Sequence, residues 1–280
     1  MTIEVFLAVL AAAAMHAGWN AVVKGGGDPF VTVTHVSLFS GGTALLLLPT
    51  VSMPKPGVWL WLAASALIHT AYRFMLIGAY RSGDMTQVYP IMRGAAPLLT
   101  AIGTALLIGE VISLTGFAAV GFLSLGVFLM SLKGGRLGSF DRTAVGFALL
   151  SATCTCAYSL VDGIGARLNG SGPGFALWMF VLNMLTMQAI ALAMRGPAVY
   201  ATLPATWRLS AGGGLMSMLA YFIVIWGMTK APIALVAALR ETSVLFGALL
   251  ATLILKEPVT GWRVLASLAV VLGVVLLRVA

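Results

Sequence analysis

Ionisable and aromatic side chains recur in this chain at the spacing that gathers them on single helical faces. His69, Tyr72 and Arg73 follow one another at i, i+3 and i+4, with Tyr80 at i+11. Thr86, Tyr89, Pro90, Arg93, Pro97, Thr100 and Thr104 form a second row. His16, Trp19 and Asn20 form a third, and Thr155, Tyr158, Ser159 and Asp162 a fourth. Residues three and four apart lie side by side on a helix. The arginines offer paired donors that match a carboxylate, and the tyrosines and Trp19 offer flat faces for a ring. Tyr221 and Arg240 extend the set, and Glu241 is read as the partner that neutralises Arg240. Acid–base or metal chemistry fits less well. The histidines His16, His35 and His69 fall in three different segments, and no helix carries an acidic pair. Cys154 and Cys156, two residues apart, point to different faces of a helix and suit packing better than a disulfide or a metal pair. No catalytic residue, metal ligand or cofactor is therefore expected, and the chain reads as a non-enzyme.

Each row is embedded in an apolar run. The runs fall at about 3–23, 30–50, 58–80, 85–108, 113–132, 143–163, 174–194, 207–228, 233–255 and 259–278. Charged residues are 9% of the sequence, against about a quarter in a soluble domain. Apolar residues are 60%, and mean hydropathy is +1.04. A bilayer-spanning helix needs about 20 apolar residues, so 280 residues hold about ten spans joined by short turns. Gly25-Gly26-Gly27-Asp28-Pro29, Met53-Pro54-Lys55-Pro56-Gly57, Arg81-Ser82-Gly83-Asp84 and Gly170-Ser171-Gly172-Pro173-Gly174 supply such turns. Met1–Glu4 lacks the basic start of a signal peptide, and Val5–Val23 is long enough to span. The net charge of +8 does not make a nucleic-acid surface, because the basic residues stand singly at the ends of the runs. Arg81, Arg195, Arg208 and Lys230 read as loop anchors of this kind. An ionisable group inside a run costs several kcal/mol unless it faces a cavity or a partner helix.

The longest polar stretch, Lys133–Arg142, lies at the midpoint, and the two sides of it resemble each other. Arg240, Glu257 and Gly273 each follow Arg93, Glu110 and Gly126 by 147 residues; Tyr221 and Gly227 follow Tyr72 and Gly78 by 149. Charged residues are too scarce here for such coincidences to be common. The chain is therefore read as two five-helix repeats, residues 1–135 and 136–280, that together make one domain. Five spans is an odd number, so the second repeat enters the membrane inverted. The expected fold is an all-α membrane protein of about ten transmembrane helices, in two inverted-topology repeats around a central cavity.

The stretch Tyr89-Pro90-Ile91-Met92-Arg93-Gly94-Ala95-Ala96-Pro97-Leu98, followed by Leu107-Ile108-Gly109-Glu110, resembles the fourth helix of the EamA-type drug/metabolite transporter superfamily. There a proline-bearing helix ends in a Gly-Glu pair. The second half keeps the ending as Lys256-Glu257-Pro258 but lacks a counterpart of Pro97. Trp19 and Tyr158, each an aromatic in the first helix of its half, also fit. The aromatic-rich pocket is similar to bacterial amino-acid exporters of the YddG-like branch. The resemblance implies a multi-pass exporter of small metabolites in the bacterial inner membrane, acting as a monomer by alternating access. Its partners would be the lipid bilayer and a small-molecule substrate.

The interior charge narrows the substrate. Arg73, Arg93 and Arg240 outnumber Glu241 in mid-membrane, whereas Glu110 and Glu257 end their helices and read as structural. The middle of the first run is Ala11-Ala12-Ala13-Ala14, without the acid that related cation exporters need there. A carboxylate held by arginine and stacked on aromatics is preferred, and an amino acid fits. Other small organic ions or drugs, and sugar or nucleotide-sugar metabolites, stay open. The candidate substrate-binding residues are His16, Trp19, Asn20, His69, Tyr72, Arg73, Tyr89, Arg93, Tyr158, Tyr221 and Arg240. Basic residues favour the connections at 24–29, 81–84, 133–142, 195–208 and 256–258, which places these in the cytoplasm and both chain ends outside. The inverted repeat weakens this count, because each half brings its own preference, and the resemblance to carriers that hold their termini in the cytoplasm pulls the other way.

Overall fold

A computed structural model describes the chain apart from residues 26, 83–84, 131–140 and 256–259, and apart from the side chains of 23–25, 77, 80–81, 85–90, 251 and 253–255. The described residues form α1 (Ile3–Gly25), α2 (Pro29–Leu47), α3 (Trp59–Ser82), α4 (Met85–Ile108), α5 (Leu114–Met130), α6 (Arg142–Asn169), α7 (Gly172–Arg195), α8 (Leu203–Met228), α9 (Ile233–Arg240), α10 (Ser243–Leu255) and α11 (Gly261–Val279). Eight segments are long and apolar enough to cross a bilayer, α9 and α10 contributing to one of them, and α5 is a shorter apolar helix. With α3, which at 24 residues is also long enough, the described residues make an all-α membrane protein of about ten transmembrane passes.

Helix boundaries follow from the turn residues. Asp28 and Asp141 cap α2 and α6, their Oδ1 atoms accepting from Phe30 N (2.9 Å) and Thr143 N (2.7 Å). Ser171 and Thr260 cap α7 and α11 in the same way. Gly170 closes α6 in the left-handed region at φ 75°, where a side chain would be strained.

The ninth apolar run is a correction to the expectation. It is not one continuous helix: α9 ends at Arg240, and Glu241 N and Thr242 N bond to Ala238 O (3.0 Å) and Leu239 O (3.1 Å), three residues back. The chain tightens there by one turn. Arg240 and Glu241 are both buried, and the tight turn turns two adjacent charged side chains inward. Broken helices at mid-membrane are where transporters of inverted-repeat design place their sites.

The helix contacts pair up as an exchange of the two halves requires. α3 lies on α6 as α8 lies on α1; α4 lies on α6 as α9 and α10 lie on α1; α2 meets α7, and α5 meets α11. The α5–α11 crossing shows the symmetry in atomic detail. A Cβ on Gly126 would lie 2.5 Å from Val270 Cγ2 and 2.7 Å from its N. A Cβ on Gly273 would lie 2.7 Å from Leu123 Cγ and 2.8 Å from its N. Gly126 and Leu123 are matched to Gly273 and Val270 by the same 147 residues. The other offset reappears where Gly78 abuts Phe147 and Gly227 abuts Val9. The expected boundary at residues 135 and 136 lies outside the described residues.

Because successive spans alternate in direction, the start of α1 and the ends of α4, α6, α8 and α11 share one side of the protein, here called the terminus side. Arg167 ties that side together. Its Nε donates to Met228 O (2.8 Å), and its Nη2 to Ala231 O and Glu110 Oε1 (3.0 Å each). Glu110 Oε2 in turn accepts from Ile233 N, the first amide of α9, at 3.0 Å. Glu110 thus has the structural role read for it.

Candidate functional site

Two polar clusters meet in the middle of the helices. The first centres on Glu241, in the turn between α9 and α10, which is 1% exposed. Its Oε1 accepts from Arg240 Nη2 (3.0 Å), and its Oε2 from Arg93 Nη1 (3.1 Å). Arg93 and Arg240 are the repeat-equivalent arginines, so one carboxylate from the second half is clamped between both halves. A carboxylate buried between two cations is stable only because all three charges are hydrogen-bonded. Arg93 Nη2 also reaches His16 Nε2 at 2.8 Å, and Trp19 Nε1 lies 3.1 Å from His16 Nδ1. Arg93 and Trp19 are both donors only, while a neutral imidazole has a single acceptor nitrogen. His16 therefore satisfies one of them at a time. The charged, shorter contact to Arg93 takes the lone pair, which leaves the Trp19 indole free to turn to another acceptor.

The second cluster joins α3, α6 and α8. Asp162 Oδ2 accepts from Tyr221 OH (2.7 Å) and lies 3.1 Å from His69 Nε2. The His69 ring stacks on Tyr158, centroids 4.3 Å apart, and stands edge-on to Tyr221 at 5.8 Å. Tyr72 meets Tyr158 edge-on at 5.8 Å, and Phe180 from α7 does the same to Tyr221 at 6.4 Å. Arg240 joins the clusters, its guanidinium carbon 5.7 Å from the Tyr158 ring centre and 5.9 Å from that of Tyr221.

The structure brings His16, Trp19, His69, Tyr72, Arg93, Tyr158, Tyr221 and Arg240 into these two clusters. Asn20 stands apart: its side-chain amide donates to His16 O at 2.7 Å, within its own helix. Arg73 shares the α3 face of His69 and Tyr72, and its buried Nη1 has no hydrogen-bond partner. The Nε of Arg240 is likewise buried and unpartnered. The side chain of Tyr89 lies outside the described residues.

Two residues that organise the site were absent from the candidate set. Asp162 is fully buried at the hub of the tyrosine cluster, with Oδ1 unpartnered. It was visible one turn beyond Tyr158, an acid inside an apolar run. Glu241 was visible too, but as a partner of Arg240 alone. Its second bond, to a residue 148 positions away, has no local signal. The interior is accordingly less positive than expected, with three arginines facing two acids among the described residues.

The family model described as "EamA-like transporter family" matches residues 142–279. Over that segment, just under half of its length, the chain belongs to the EamA-like transporter family. A solved crystal structure superposes on this transporter with a TM-score of 0.78 at 17% identity, covering 99% of this chain and 96% of that one. At that identity the likeness speaks for the shared fold alone. No curated protein matches the transporter at the level of sequence. Membership makes it a membrane transporter of small molecules and agrees with the resemblance carried by the fourth helix. The matched segment covers the half whose Glu257 ending lies outside the described residues.

Proposed function

We propose that this protein is a secondary exporter of small carboxylate-bearing metabolites, foremost amino acids including aromatic ones, across the bacterial inner membrane. It works by alternating access, with residues 1–135 and 136–280 as the two bodies that rock about the central site. A single chain is the proposed working unit, since it carries both repeats.

The observation that carries this reading is the pair of buried, unpartnered donors beside the aromatic cluster, Arg73 Nη1 and Arg240 Nε. A buried donor without a partner costs about 1–3 kcal/mol, more when charged. A substrate carboxylate would recover that cost and gain charge-assisted bonds besides. Tyr72, Tyr158 and the reorientable Trp19 supply surfaces for an apolar or aromatic side chain. Arg93 is engaged by Glu241 and His16, so its proposed part is to hold the clamp across the halves.

Purified protein in liposomes loaded with unlabelled amino acid is the test. Labelled phenylalanine is expected to enter by counterflow. Phenylalanine amide, which lacks the carboxylate, should compete at least tenfold less well, the equivalent of about 1.4 kcal/mol. Equal competition by the amide, or counterflow by no carboxylate-bearing compound in an amino-acid panel, would overturn the proposal.

A further inference from the structure

Asp162 is a buried acid that the transport reading leaves without a task. It is 0% exposed and sits behind His69, which is 16% exposed. Among the described side chains, the titratable groups nearest Asp162 on the elements packed against α6 are these. α3 brings His69, Tyr72 and Arg73; α8 brings Tyr221; α9 and the turn after it bring Arg240 and Glu241; α4 brings Arg93 and, beyond its end, Glu110. α7 carries no titratable group before Arg195, and Lys55 lies at the α6 end against Leu168 O. Within this set only His69 and Tyr221 bond to Asp162, and Tyr221 donates its single proton to Oδ2. Oδ1 has no partner. The two oxygens and one imidazole do not make a metal cage, and no group of metal-ligating residues occurs among the described residues.

A carboxylate held so is matched to one small ligand, a proton. We propose that the Asp162–His69 pair is the site at which the carrier binds the proton it exchanges for substrate. This rests on the reading of the protein as a carrier. The step balances simply. Neutral His69 donates its Nε2 proton to Asp162 Oδ2 and takes up one proton from water at Nδ1. The pair goes from one negative charge to none, and His69 ends neutral as the other tautomer. Release runs the same path backwards.

The placement couples the proton to movement. His69 belongs to the first half, whereas Asp162 and Tyr221 belong to the second. Hydrogen bonds to an ionised group are roughly twice as strong as neutral ones. Loading the proton therefore weakens the tie across the halves and the Tyr221 bond together. Intramembrane acids paired with histidine serve as such relays in pumps and transporters generally.

Two measurements test the pair. In infrared difference spectra of the purified protein, acidification should raise a protonated-carboxyl band that vanishes in Asp162→Asn and shifts in Asp162→Glu. In liposomes, an imposed pH gradient should drive phenylalanine accumulation. Asp162→Asn, which keeps an acceptor for Tyr221, should lose gradient-driven accumulation at least tenfold more than it loses counterflow, and His69→Gln should show the same split. Gradient-driven transport surviving in Asp162→Asn, or a carboxyl band independent of Asp162, overturns the proposal. Absence of counterflow in the unmodified protein counts against the carrier reading, and the infrared result then still decides the proton site.

Discussion

Glu241 gathers two cations that the sequence places 147 residues apart, and removing its charge isolates both. Breaking a buried ion pair from one side typically costs about 3–5 kcal/mol. Glu241→Gln keeps the shape, so a large drop in the thermal unfolding midpoint in detergent is expected. A change as small as that of a surface substitution would show that the clamp carries no stability. Arg73→Ala should behave in the opposite way. Its Nη1 makes no hydrogen bond, so the variant should unfold near the wild-type midpoint while counterflow falls about tenfold or more, a loss of ~1.4 kcal/mol in binding. At this scale the sequence revealed the faces but not the pairings. The i, i+3, i+4 rows put His69 beside Tyr72 and Tyr158 beside Asp162, because those relations lie within one helix. That Asp162 would meet His69 and Tyr221 depends on how α3, α6 and α8 cross, which no local spacing encodes.

The ten passes were readable as apolar runs because each must fill the same membrane thickness with the same chemistry. The break after Arg240 has only a short local signal, the polar residues Arg240-Glu241-Thr242-Ser243, set between apolar stretches that together have the length of one span. Helix crossings leave a testable mark. Gly126→Ala and Gly273→Ala place a methyl against the backbone of the facing helix, which cannot yield as a flexible side chain can. Each should lower stability by about 1–3 kcal/mol, and by similar amounts given their symmetric surroundings. Gly121, with nothing within 4 Å of a built Cβ, is the control. Gly121→Ala should be neutral or slightly stabilising by thermal unfolding in the same detergent. The ends of α2 and α7 are joined by Asp28 and Arg195. That guanidinium, with the amides of Phe30 and Val31, holds the Asp28 carboxyl below its usual range. The stability it adds is present above the ordinary aspartate range and is lost as pH falls through the lowered value. Asp28→Asn keeps the helix cap and removes the pair, so its cost should be at most about 1 kcal/mol and absent in acid.

For the whole molecule, the internal repeat was legible because charged residues are rare enough for Arg93, Glu110, Arg240 and Glu257 to stand out. Its geometric counterpart is the pair of symmetric contacts at the α5–α11 crossing. The charge count of the loops favours an orientation with Ala280 outside. A reporter active only in the cytoplasm, fused at Ala280, should then stay silent, and strong activity would reverse the assignment. The central claim is that the two halves alternate about the site, and the terminus side offers the most direct measurement. There Arg167 and Glu110 tie the ends of α6 and α4, together with those of α8 and α9. In a background with Cys154 and Cys156 replaced by alanine, Glu110→Cys and Arg167→Cys can be joined by a short cleavable bifunctional thiol reagent. Phenylalanine counterflow is predicted to stop in the cross-linked protein and return when the link is cleaved. Cross-linked protein that exchanges substrate at the uncross-linked rate would contradict the account.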